Sequence, residues 1–107
     1  MKYNSMTELN AAYGGDKMDR GSMSLEEELR YVQDCFDTFE GIGFRRAFRS
    51  PYEEQERNNG KEFTVVCRLS YANGDADLEC LPMWHIRFAD GDEIDAYPEE
   101  ICEEEHT

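Results

Sequence analysis

Residues 83–101, MWHIRFADGDEIDAYPEEI, carry the clearest secondary-structure pattern in this chain. Trp84, Ile86 and Phe88 alternate with polar residues, which is the period of a β-strand that buries one face. The Asp-Gly pair at 90–91 follows directly and predicts a two-residue hairpin turn, because a type I′ turn needs positive φ at both central positions. This stretch therefore predicts a β-hairpin with one apolar face.

Further strands are predicted on both sides of this turn. Ile94 and Ala96 alternate with acidic residues in a return strand, and Pro98 suits the first turn of a short helix, where a missing N–H costs little. Residues 44–48, FRRAF, predict a strand or an extended entry segment. Residues 62–71 predict a longer strand, and its alternating inward positions are Phe63, Val65, Cys67, Leu69 and Tyr71.

One amphipathic helix is predicted to begin after Ser24. Ser24 and Glu27 have the spacing of a capping box, and acidic residues follow in the first turn, where the helix dipole favours negative charge. Gly41 suits the position just after the helix. The predicted apolar stripe, which we expect to pack on the sheet, is Leu25, Leu29, Val32, Phe36 and Phe39.

The chain of 107 residues is long enough for one domain. Its element order predicts an α+β fold, in which the helix packs on a small, strongly bent antiparallel sheet or on an SH3-like barrel of three to five strands. We assign residues 24–102 to this domain. Residues 1–23 are predicted to be an arm that is flexible or docks on the domain, and residues 103–107 an acidic tail.

The net charge of −14 limits the classes of partner. Residues 62–107 hold 2 basic and 13 acidic residues, so most of the negative charge lies in the C-terminal part. Direct binding to nucleic acid or to an anionic membrane is disfavoured, because both reward clustered Lys and Arg. A basic protein partner is favoured, and the alternative is that the acidic surface only confers solubility. A homodimer is a further possibility, since a small sheet leaves edges to cover.

Two features predict a cytoplasmic protein. No apolar run is long enough to cross a membrane, and residues 1–15 lack the apolar segment of a secretory signal. The four cysteines, which we therefore expect to be free thiols, are Cys35, Cys67, Cys80 and Cys102.

The chain carries no recognised catalytic or cofactor motif, so we predict a non-enzymatic protein without a cofactor. His85 lies on the face of its strand opposite the apolar residues. The default interpretation is an exposed surface histidine, and the alternative is that His85 lines a groove. Arg45, Arg46 and Arg49 form the one dense basic cluster. Either they balance nearby carboxylates, which we favour, or they bind phosphate or carboxylate.

Two resemblances bear on function. The string WHIRFADGDEIDAY, residues 84–97, resembles the middle strands of SH3-like and Tudor-like barrels. In size and charge the whole chain resembles small acidic accessory proteins of bacterial phages and conjugative elements, with no family motif matched residue by residue. Some of those families inhibit restriction or CRISPR nucleases by occupying the nucleic-acid site.

This resemblance implies an inhibitor that binds a basic nucleic-acid-handling protein, such as a Cas effector or a restriction nuclease. Carboxylates on a rigid surface can imitate the phosphates of a duplex, which carries about one charge per 1.7 Å of axis. The residues predicted to contact this partner are Asp75, Asp77, Asp90, Asp92, Glu93, Asp95, Glu99 and Glu100.

Two other functions compete with this hypothesis. The first is an SH3-like adaptor of a mobile element that binds a peptide through Tyr71, Trp84 and Tyr97, although a lone Trp in a strand is typical of a core. The second is a small enzyme or metal protein that uses His85 and the cysteines, although no paired-ligand spacing supports it.

Overall fold

A computed structural model describes residues 3–103 of the chain. Residues 1 and 2 of the predicted arm and residues 104–107 of the predicted tail lie outside the described residues. The helices are α1 (Met6–Ala12), α2 (Leu25–Ile42) and α3 (Pro98–Ile101), and the strands are β1 (Phe63–Arg68), β2 (Trp84–Phe88) and β3 (Glu93–Ala96). Short 3-10 helices cover Gly15–Lys17, Arg20–Ser22, Glu53–Asn58 and Leu78–Cys80.

The three strands form one antiparallel sheet in the order β1-β2-β3. Within residues 3–103 the two outer strands do not pair with each other, so the sheet stays open. The predicted α+β class is confirmed. Of the two predicted architectures, the helix on a small sheet is the one observed, and the SH3-like barrel does not form.

Helix α2 begins as predicted and ends slightly later. The Ser24 hydroxyl accepts a hydrogen bond from the Glu27 backbone N–H at 3.1 Å, which caps an otherwise unpaired donor. Gly41 was the predicted stop, but the helix continues to Ile42. Gly43 ends it with a φ of 114°, a conformation that strains any residue with a Cβ.

Trp84 on β2 is the centre of the core. Its side chain has no exposed surface, and three phenylalanine rings contact it in near-perpendicular arrangements. The ring centroids of Phe36, Phe39 and Phe44 lie 5.1, 6.1 and 5.5 Å from that of Trp84. Two of these rings belong to α2, so the C-terminal half of that helix packs on the sheet.

The N-terminal half of the predicted helix stripe is not buried. Leu25 and Leu29 are 57% and 41% exposed. A second face of α2 is buried instead, because Tyr31 and Cys35 pack against Leu9 of α1. Helix α2 is therefore held between α1 and the sheet, and the single-stripe prediction was wrong at its first two positions.

Strand β1 departs from its predicted alternation at a β-bulge. The register shifts between Val65 and Cys67, so that Cys67 pairs with His85 on the outer face. The bulge uses one extra residue, which moves the two remaining strand residues, Cys67 and Arg68, to the opposite face. Leu69, just beyond the strand, is buried as predicted. Cys67 is therefore exposed rather than buried. Tyr71, the last predicted inward position, lies beyond the strand and is 44% exposed.

The hairpin loop is longer than predicted. Strands β2 and β3 are joined by four residues, 89–92, and within the described chain only glycines have positive φ. Gly91, at 96°, is therefore the one positive-φ residue of this loop, which excludes a type I′ turn at 90–91.

Residues 44–48 do not join the sheet as a strand, because Phe44 and Ala47 make only isolated bridges, to Cys102 and Glu62.

Candidate binding surface

The outer face of the β2–β3 hairpin carries charged side chains. His85 pairs with Asp95 and Arg87 with Glu93 across the two strands, and all four side chains lie opposite the buried Trp84 and its apolar neighbours. This is the alternation that the sequence predicted, with His85 on the exposed side.

His85 lies between two carboxylates. Its Nδ1 is 2.7 Å from Asp95 Oδ1, and its Nε2 is 2.7 Å from Glu93 Oε1. Only the imidazolium can donate from both ring nitrogens at once. The hydrogen bonds to Asp95 and then Glu93 therefore raise the pKa of His85 above 6.5. The reciprocal hydrogen bond from His85, together with the charge of Arg87, lowers the pKa of Glu93.

The loop that follows β2 adds two more exposed carboxylates, Asp90 and Asp92. Asp90 Oδ2 lies 2.7 Å from Lys61 Nζ, and this contact is the main cause that lowers the pKa of Asp90. Asp90 Oδ1 also accepts from the Asp92 backbone N–H at 3.1 Å, which orders the loop. We call Asp90, Asp92, Glu93 and Asp95 the acidic hairpin.

The other four predicted contact residues lie elsewhere or are unavailable. Asp75 and Asp77 lie in the connection between β1 and β2, at the end of β2 opposite the 89–92 loop. At about 3.3 Å per residue, the five residues of β2 separate these two ends by roughly 15 Å. Glu99 is exposed and accepts a hydrogen bond from the Tyr52 hydroxyl at 3.0 Å.

Glu100 does not belong to an exposed surface. Only 2% of it is accessible, and its Oε1 accepts from the Tyr97 backbone N–H at 2.8 Å, which caps the start of α3. The sequence placed Glu100 beside Glu99 in the first turn of a helix but did not indicate which of the two would face inward. Glu100 Oε2 has no hydrogen-bond partner among the described residues.

The residues predicted for the two competing functions are dispersed. Trp84 is fully buried and cannot line a peptide groove. Of the cysteines, Cys67 and Cys80 are exposed, whereas Cys35 and Cys102 are buried. Within residues 3–103, no group of three His, Cys, Asp or Glu side chains is arranged to hold a metal ion.

The arginine cluster at 45–49 is divided among different partners. Arg46 Nε lies 3.3 Å from Glu62 Oε1, and both side chains are largely exposed. Arg45 Nε instead donates to the Cys102 carbonyl at 2.9 Å. Arg49 makes no ion pair with any residue that the structure describes, although its backbone N–H donates to the Glu100 carbonyl at 3.1 Å.

No family model, curated protein or solved structure matches this chain. No helix in the described part of the chain has the length and apolar character that a membrane span requires.

Proposed function

We propose that this chain is a non-enzymatic, cytoplasmic binding protein whose acidic hairpin contacts a basic, nucleic-acid-handling protein. The observation that carries the proposal is the display of four exposed carboxylates on and beside one ordered pair of strands. Successive outward positions on a strand lie about 7 Å apart, so Glu93 and Asp95 present charge at a regular spacing.

Rigidity supports this assignment, because a surface that is already ordered loses less conformational entropy on binding. His85 holds Glu93 and Asp95, and Lys61 holds Asp90. The Asp92 carboxylate has no such cation within residues 3–103, and Asp92 is held through its backbone, which bonds to Asp90 and to Phe88. The net charge of −14 adds long-range attraction for a cationic partner and makes association fast at low salt.

A nucleic-acid-binding cleft is the kind of basic surface that such a hairpin fits. Clefts of this kind present Lys and Arg to phosphates, and carboxylates can pair with the same side chains. We infer that binding blocks access of nucleic acid to the partner. Cas effectors and restriction nucleases are the partner classes to test first.

The experiment measures binding to a panel of purified Cas effector nucleases and restriction endonucleases, at low and high salt and with competing DNA. We expect at least one panel member to bind, with an affinity that falls at high salt and with DNA. The triple variant D92N/E93Q/D95N should weaken that binding by about tenfold or more, equivalent to about 1.4 kcal/mol.

The matched control is E53Q/E54Q/E56Q, which removes the same number of charges from the exposed 3-10 helix Glu53–Asn58. It should change the affinity by much less, because net charge falls equally while the hairpin is intact. Equal loss in both variants, or no binding by any panel member, would contradict the proposal.

A further inference from the structure

A cleft of about 1070 Å³ lies away from the outer face of the hairpin, between α1, α2 and the segment 45–51. Its volume reaches the upper end of the range of small-molecule sites, which is about 300–1,000 Å³. Pro98, Glu99, Cys102 and Glu103 also line it. The cleft shares no residue with the acidic hairpin.

The floor of the cleft is apolar. Tyr31, Cys35 and Phe39 of α2 contribute to it, and Cys102 also lines the cleft. Burial raises the pKa of Cys35 to about 11 and that of Cys102 to about 12, so both thiols are protonated near neutral pH and behave as small apolar groups. The apolar part of a ligand would be removed from water by contact with these side chains.

The rim of the cleft is unusually basic for this protein. Three arginines line it in a chain that has 11 basic and 25 acidic residues in total. Two of them are held in place: Arg20 donates to Glu28 and to the carbonyls of Leu78 and Leu81, and Arg45 donates to the Cys102 carbonyl.

Arg49 differs from these two, because within residues 3–103 its guanidinium has no carboxylate or carbonyl partner. Its backbone is nevertheless fixed to Glu100, so the side chain projects from an ordered segment. Two carboxylates, Glu99 and Glu103, also line the cleft, and Glu99 accepts from Tyr52. The cleft therefore combines an apolar floor with an exposed guanidinium that is available to an anion.

We propose that this cleft binds a small amphipathic anion, whose carboxylate or phosphate head pairs with Arg49 and whose apolar body lies against α2. A guanidinium binds either head through two parallel N–H donors, so the two heads share one chemistry. Binding in this cleft would not involve the acidic hairpin or the protein partner proposed for it.

The test uses four probes on the full-length protein: octanoate, octyl phosphate, 1-octanol and acetate. Binding is followed by two-dimensional amide NMR. Octanoate, octyl phosphate or both should give saturable shifts that cluster in residues 45–51 and 98–103. Octanol, which lacks the charge, and acetate, which lacks the apolar body, should each bind at least about tenfold more weakly than the stronger anion. The stronger of the two anions identifies the preferred head group.

Neighbouring arginines supply the matched variants. R49Q should weaken binding of the stronger anion by about tenfold, whereas R46Q, whose side chain lies outside the cleft, should leave it unchanged. Arg49 is exposed, so R49Q should keep the wild-type amide spectrum without ligand. The proposal is overturned by any of three results: no saturable shift, octanol binding as tightly as both anions, or equal effects of R49Q and R46Q.

Discussion

The indole Nε1 of Trp84 donates a hydrogen bond to Glu40 Oε2 at 3.0 Å, across 44 positions of the chain. The same carboxylate receives two donors from Arg68, each at 2.7 Å. One side chain at the end of α2 therefore joins β2, through Trp84, to β1, through Arg68. The hydrogen bonds from Arg68, followed by that from Trp84, lower the pKa of Glu40, although partial burial opposes them.

Replacing Glu40 should destabilise the fold in two steps. E40Q keeps an acceptor for the indole but loses the charge that pairs with Arg68, and we expect a loss of about 1 kcal/mol in the free energy of unfolding. E40A also leaves the indole N–H unpaired, and we expect the free energy of unfolding to fall by about 2 kcal/mol. Urea denaturation followed by Trp84 fluorescence measures both values.

The control for this pair of variants is E62Q. Glu62 pairs with Arg46 at the surface, where both side chains are mostly exposed, so its loss should cost less than about 0.5 kcal/mol. The lowered pKa of Glu40 also makes its contribution depend on pH. The stabilisation that Glu40 provides is fully present above pH 4.5 and is lost as the pH falls through the folded-state pKa of Glu40. A cost of E40Q no larger than that of E62Q would contradict the bridging role.

His85 should titrate above its ordinary pKa of 6.5, because Asp95 and Glu93 both accept from its ring. A folded-state pKa above the unfolded value stabilises the protein fully below about pH 6.5, and this stabilisation disappears as the pH rises through the folded-state pKa. The difference in unfolding free energy between wild type and H85Q should therefore shrink over that interval. NMR titration gives the pKa directly, with His85 assigned as the resonance missing from H85Q. A value at or below 6.5 would count against the observed geometry.

The four thiols should separate into two classes. Cys67 and Cys80 are exposed and should react quickly with an aromatic disulfide reagent near neutral pH. Cys35 and Cys102 are buried with raised pKa values and should react only when guanidinium chloride unfolds the chain. C67S should remove one fast equivalent. If native protein showed a single fast thiol that C80S abolished, Cys67 would face inward and the β-bulge would be absent.

Two leucines test whether the first helix contributes to stability. Leu9 of α1 has no exposed surface and packs against α2, so L9A should cost about 2–4 kcal/mol. Leu25 is 57% exposed at the start of α2, so L25A should change stability by less than about 0.5 kcal/mol. Denaturant unfolding measures both variants. Similar small values would mean that α1 adds nothing to the folded domain.

The hairpin loop shows how two local patterns can disagree. A two-residue turn at 90–91 would place Ile86 opposite Asp95, which puts an inward residue across from an outward one. In the structure Ile86 pairs with Ile94, so both apolar faces coincide. Burying one apolar face contributes more to stability than a preferred turn type does. The longer loop is the one that allows both apolar faces to be buried together. The same register brings His85 opposite Asp95.

The sequence by itself determined the start of α2, the buried face of β2, the α+β class and the acidic character of the hairpin. These depend on neighbours within one helical turn or two strand positions, which a local pattern contains. Only the tertiary structure decided the bulge that exposes Cys67, the second buried face of α2, the burial of Glu100 and the cleft beside Arg49. Each of these depends on contacts between segments distant in the chain, whose relative positions no local period specifies.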